Sequence, residues 1–182
     1  MRCGPVWRAR ARLRDDMMSE ADAILVLTTG GTIDKAYFDD LSTYQVGETQ
    51  IGRLLEVARV RYPFRIEELM RKDSLELDDD DRALIADRIA AVPQSRIVVT
   101  HGTDTMTATA ARIGQLADKT VVLIGALAPA RFNESDAAFN LGMAFATVQV
   151  APPGTYITMN GTVFRADHVI KDRDAGMFVA VP

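Results

Sequence analysis

At 182 residues the chain is long enough for one well-buried domain and too short for two of ordinary size. It is 48% hydrophobic and 25% charged, and no segment approaches a transmembrane span, so it reads as a soluble globular chain with no membrane partner. Its formal charge of −4 argues against a nucleic-acid partner, which usually requires a basic face.

The charge is uneven. Residues 1–16 hold five arginines against Asp15 and Asp16, which leaves about −7 for the remainder. That stretch has no apolar run of the kind a secretory signal needs, and Met17 and Met18 stand before the first strand as alternative starts. It reads as a disordered arm, residues 1–18, ahead of one domain at 19–182. Cys3, the single cysteine, lies in the arm; an internal disulfide is excluded and a cytoplasmic location fits.

Ala23–Thr29 is a near-continuous apolar run, expected for a strand buried on both faces. Gly30–Thr49 is polar and glycine-bearing and reads as a long binding loop or lid. A short helix is expected at Ile51–Ala58 and a strand at Phe64–Met70, the latter interrupted by Glu67 and Glu68. Asp78–Asp81 opens a helix to about Val92, with Leu84, Ile85, Ile89 and Val92 on one face; four aspartates at the positive end of a helix dipole need no calcium. Arg96–Thr100 is a strand, Thr103–Ala117 a helix, Val121–Gly125 a strand, Ser135–Val148 a helix and Tyr156–Met159 a strand. Asn160-Gly161 is a turn signal, with Thr162–Phe164 returning as a hairpin arm. Strands alternating with helices of this length predict an α/β fold, a three-layer, doubly wound, mostly parallel sheet of Rossmann-like type.

Two segments repeat one chemistry at two strand ends: Thr28-Thr29-Gly30-Gly31-Thr32-Ile33 and Thr100-His101-Gly102-Thr103-Asp104-Thr105. Beyond the carboxyl ends of parallel strands lies the ligand site of an open sheet. There glycine permits close backbone approach and threonine offers a hydroxyl. Two histidines and one remote cysteine cannot make a zinc site, and neither the Walker pattern, nor GxGxxG, nor G-x-S-x-G occurs. A threonine nucleophile needs a base, and Tyr44, Lys171 and Asp104 are the candidates. Each residue also has a plainer reading: Thr103 as a helix N-cap, Asp104 as a first-turn anion, Lys171 as a solvated lysine, Tyr44 as a rim residue.

Taken together, the two segments resemble the signatures of the bacterial-type L-asparaginases, the threonine amidohydrolases. Asp73-Ser74 is similar to that family's substrate-carboxylate loop, Ile124-Gly125-Ala126 to its substrate-facing strand end, and Arg165–Lys171 to its catalytic-lysine segment. The resemblance spans about residues 22–178. It implies Thr32 as nucleophile with Tyr44 on a lid as its activator, and Thr103, Lys171 and Asp104 as a second threonine–lysine–aspartate group. Asp104 would also hold the substrate ammonium and Ser74 its carboxylate, with Asp73 a further substrate-binding residue of the same loop, while Ala126 would present a backbone carbonyl to the amide. No cofactor is implied. The substrate implied is L-asparagine, and the expected assembly is a homodimer or homotetramer. Longer members carry a C-terminal domain for which this sequence shows no counterpart, so the chain resembles the short, single-domain form. Leu75 stands where many members have glutamine, with Glu76 beside it. A glutaminase-leaning enzyme, an amidotransferase part and a non-catalytic amino-acid-binding module are the competing readings.

Overall fold

The computed structural model describes residues 19–38 and 43–181; the expected arm, residues 1–18, lies outside them. The first strand, β1 (Ile24–Gly30), is buried along its whole length, as a strand covered on both faces must be. The segment after it is not the loop that its polarity suggests. After a single 3-10 turn at Thr32–Asp34 it forms an antiparallel hairpin of β2 (Lys35–Phe38) and β3 (Thr43–Val46), with Tyr37 paired to Tyr44. Aromatic and β-branched residues supply the strand preference. The described β3 residues are exposed or half-exposed, which hides the alternation a half-buried strand would show.

Helix α1 (Ile51–Val57) leads to β4 (Phe64–Lys72), which runs parallel to β1 as the edge of the sheet. Its charged middle suits an edge: Glu67 takes two hydrogen bonds from Arg88, at 2.6 and 2.8 Å. Arg88 belongs to α2 (Asp79–Ala91), which opens on a capping box between Asp78 and Asp81. Ile85, Ile89 and Val92 are buried as expected, but Leu84 is 49% exposed, one position off the core-facing stripe.

On the other side of β1 lie β5 (Arg96–Thr100), β6 (Thr120–Ile124) and β7 (Gly154–Met159), all parallel, and antiparallel β8 (Thr162–Arg165) forms the far edge. The β7–β8 turn has Asn160 and Gly161 at φ 52° and 72°, the pair of positive values that a tight hairpin turn requires. Between β5 and β6, α3 spans only Met106–Ile113, shorter than the expected Thr103–Ala117. Gly114, at φ 71°, ends it, and residues 103–105 are occupied with other contacts described below. Between β6 and β7 lies α4 (Ala137–Val150). A second hairpin, β9 (Val169–Asp172) with β10 (Met177–Ala180), follows β8.

Alternate residues of the sheet feed two cores. Leu25, Leu27, Val99 and Leu123 face α2 and α3, meeting Ile85, Ile89 and Ile113. Ile24, Val26, Val98 and Val122 face α1 and α4, meeting Leu55, Leu141 and Phe145. The result is the three-layer, doubly wound, mostly parallel α/β fold that the sequence predicts. Its strand order places β1 between β4 and β5, so the winding reverses at β1 and a crevice opens beyond the carboxyl ends of β1 and β5.

Candidate active site

The glycine-threonine segments leave the two strand ends that flank this crevice. Gly31 has φ 83°, and a Cβ placed there would collide with the backbone of Gly102. A Cβ at Gly102 would in turn lie 2.5 Å from Ser74 Oγ. Glycine is needed at both positions because three segments meet almost backbone to backbone. Hydrogen bonds fix the junction: Thr29 Oγ1 donates to Thr100 O at 2.7 Å, Gly31 N to Lys72 O at 3.0 Å, and Thr105 Oγ1 to Ser74 O at 2.7 Å.

Thr103 is buried, and its hydroxyl accepts a 2.7 Å hydrogen bond from Lys171 Nζ. The same ammonium donates to Asp104 Oδ1 at 2.6 Å. The Lys171 side chain, carried by β9, is 15% exposed and that of Asp104 39%. Three plain readings therefore fail. Thr103 does not cap α3, which begins at Met106; Asp104 precedes that helix; and Lys171 is held rather than solvated. Beneath them His101 is fully buried, with Nδ1 donating to Gly102 O and Nε2 accepting from Thr109 Oγ1, both at 2.7 Å. Burial pushes its pKa down to about 4, against the opposing pull of the Gly102 carbonyl, so the ring is neutral at ordinary pH.

Thr32 starts the 3-10 turn beyond β1 and is half-buried. Two residues on, the buried Asp34 carboxylate accepts Gln50 N at 2.9 Å, and burial raises its pKa. Tyr44, half-exposed on β3, packs its ring 5.4 Å from Tyr37 and 6.0 Å from Phe132. Tyr44, Asp73 and Asp104 line one open cleft of about 620 Å³ together with Lys35 and Gln45. A neighbouring hollow of about 300 Å³ shares Asp104 and Leu75 and adds Lys171 and Arg173. Thr32, Ser74, Thr103 and Ala126 line neither hollow. Ser74 and Ala126 are buried.

The Asp73 carboxylate is engaged within the chain, by Lys35 Nζ at 2.6 Å and Leu75 N at 3.2 Å. Burial acts to raise its pKa, but these donors hold it below the ordinary aspartate value. Leu75 is 69% exposed at the mouth, and Glu76 spends a carboxylate oxygen on Asp73 N at 3.1 Å. Behind Ala126, Asn140 Nδ2 donates to Gly125 O at 3.0 Å, and Asp136 accepts Leu127 N at 2.9 Å. Lys35, Thr105 and Asn140 are the supporting residues that sequence reasoning missed. Only Asn140 left a usable signal, its i, i+4 spacing from Asp136 at the start of a helix that follows a strand end.

A family model described as "Asparaginase, N-terminal" matches residues 23–177. A protein named probable L-asparaginase periplasmic, from Haemophilus influenzae, is 33% identical over 81% of this chain and 46% of its own length. A glutaminase-asparaginase from Pseudomonas fluorescens biotype A is 27% identical over 87% of this chain and 46% of its own. Among solved structures, one titled as the probable cytoplasmic L-asparaginase from Campylobacter jejuni superposes with a TM-score of 0.76. It is 27% identical and covers 87% of this chain and 53% of that one. The chain thus spans about half the length of the relatives it matches.

Proposed function

We propose, from the premise that this chain belongs to the asparaginase family, that it hydrolyses the side-chain amide of L-asparagine to L-aspartate and ammonia. The observation that carries this reading is the Lys171 ammonium bonded to both Thr103 Oγ1 and Asp104 Oδ1, beside a crevice at the sheet's switch point. An ordinary surface lysine has no reason to converge on a buried threonine.

In this mechanism Thr32 Oγ1 attacks the amide carbon and gives its proton to the Tyr44 oxygen, while the Tyr44 phenol passes its own proton on to the amide nitrogen. The tetrahedral oxyanion forms against backbone N–H donors at Thr32 and Thr103, each worth roughly 2.7–4 kcal/mol of barrier. Collapse expels ammonia and leaves an ester on Thr32. Water then attacks the ester carbon, Thr103, Lys171 and Asp104 relay its proton away, and Thr32 Oγ1 takes a proton back as aspartate leaves. Asp104 also binds the substrate ammonium, Ser74 its carboxylate, and the Ala126 carbonyl receives the amide N–H. A second reading, hydrolysis of L-glutamine, is favoured by the likeness to a glutaminase-asparaginase and by the open cleft. The proposed location is the cytoplasm, supported by the single cysteine, and the proposed assembly is a homodimer or homotetramer.

Ammonia release from L-asparagine and L-glutamine, measured in parallel on the wild type and Thr32→Ala, tests this reading. Turnover of asparagine in the wild type is expected to be lost in the variant with melting unchanged. A variant within tenfold of wild type would remove Thr32 from the chemistry.

A further inference from the structure

We propose that Lys35 and Asp73 are positioning residues. Their ion pair is a strut that pins the hairpin carrying Tyr44 to the turn presenting Ser74, and so sets substrate affinity. The proposal rests on the amidohydrolase reading above.

The hairpin needs such a strut. β2 and β3 pair only with each other and not with the six-stranded sheet, and a lone two-stranded hairpin is marginal in water. Its base is tied to the chain by backbone: Gly47 N donates to Asp34 O at 3.0 Å, and Gln50 N to the Asp34 carboxylate at 2.9 Å. Those ties fix where the hairpin leaves the domain; further out the Tyr44 ring rests 6.0 Å from Phe132, a contact that leaves the lean over the cleft adjustable. Lys35 opens β2, three residues after Thr32, and its ammonium reaches Asp73 Oδ2 at 2.6 Å. Among the described residues it makes the one ion pair joining the hairpin to the rest of the chain.

Asp73 is a firm anchor. Its other oxygen takes Leu75 N at 3.2 Å, Glu76 returns a bond to Asp73 N at 3.1 Å, and Thr105 Oγ1 holds the next carbonyl, Ser74 O, at 2.7 Å. Exposed ion pairs often contribute nothing because both partners must be ordered. Here the side chains are only 28% and 26% exposed, and one partner is already fixed by its own turn. The pair also sits on the wall of the cleft that Tyr44 and Asp104 line, so a change in hairpin lean changes that cleft directly. A hairpin that spends most of its time away from the cleft lowers apparent affinity by the fraction of time it is docked, without altering the docked chemistry.

The test compares Lys35→Met, Asp73→Asn, the double variant and Lys35→Arg by steady-state ammonia release and by amide hydrogen exchange across residues 35–46. Expected are a rise in KM of about tenfold in each single variant with kcat within threefold, and hairpin exchange faster by a similar factor. The double variant is expected to be no worse than either single one, and Lys35→Arg to be close to wild type. Melting temperature is the control that the core is intact. KM within twofold of wild type and unchanged exchange would overturn the strut. So would a KM rise in Lys35→Met alone with unchanged exchange, which would make Lys35 a direct substrate contact. If the wild type releases no ammonia from either amide, the functional reading fails, and the exchange measurements still decide the strut by themselves.

Discussion

A single ammonium 2.7 Å from a threonine hydroxyl and 2.6 Å from a carboxylate oxygen can pass a proton between them only while all three are present. Lys171→Met is therefore expected to lower kcat by about 100-fold or more, the scale of a lost general base, while melting moves little. Ammonia release at saturating substrate measures the first and a thermal melt the second; near-normal turnover would return Lys171 to a structural role. His101 makes a separate prediction. Its folded pKa of about 4 lies below the ordinary 6.5, so between those values the unfolded chain binds more protons than the folded one. Stability is then fully present above pH 6.5 and drains away as the pH falls toward 4. His101→Asn keeps a donor for Gly102 O and has no titrating ring, so its melting temperature should fall less than that of the wild type across this window. At this scale residue types were legible from pattern, the Thr103–Lys171–Asp104 grouping only through resemblance, and the Lys35–Asp73 pair not at all. The pattern of glycine and threonine marks Thr32 and Thr103 as candidate site residues. The residue types by themselves do not say that Thr103 meets Lys171, 68 residues away; it is the family resemblance that groups the two with Asp104.

Elements show a similar division. Buried strands such as β1 and β5 were readable because a strand covered on both faces must be apolar throughout. The β2–β3 hairpin was not, since a ribbon outside the main sheet has no need of the alternation that betrays a strand. α3 was overdrawn because Thr103, Asp104 and Thr105 are all good helix starters, and here tertiary contacts claim the hydroxyls of Thr103 and Thr105. The junction of segments yields a sharp expectation. Gly102→Ala places a methyl 2.5 Å from Ser74 Oγ, so the Ser74 turn or the Gly102 segment must shift. Substrate affinity and turnover should both collapse in a chain that still folds, with circular dichroism and ammonia release as the readouts; full activity would show that the Ser74 turn yields at no cost to the site.

At the scale of the whole molecule, the described residues leave apolar surface uncovered on one layer. α4 has no charged residue in its 14 positions, and Phe139 and Val150 on it are 62% and 82% exposed. Exposed apolar surface of this kind is commonly buried by association, most often with two-fold symmetry. Light scattering across a dilution series is expected to show a dimer or tetramer, and Phe139→Lys to shift it toward monomer; a monomer at every concentration would refute the assembly. The doubly wound architecture was legible at this scale because alternating strands and helices admit few other solutions. The order of the strands was not, and it is the order that makes the crevice. That order also has a meaning in time. Thr32, Ser74 and Thr103 all leave the ribosome before Lys171, which arrives on β9 after every strand of the central sheet has been made. At roughly 5–20 residues per second, the proposed nucleophile waits about 7–28 s for the lysine. On the proposed mechanism, the segments bearing Thr32, Ser74 and Thr103 are thus made before the lysine that the relay needs, and no relay exists until the β9–β10 hairpin follows them.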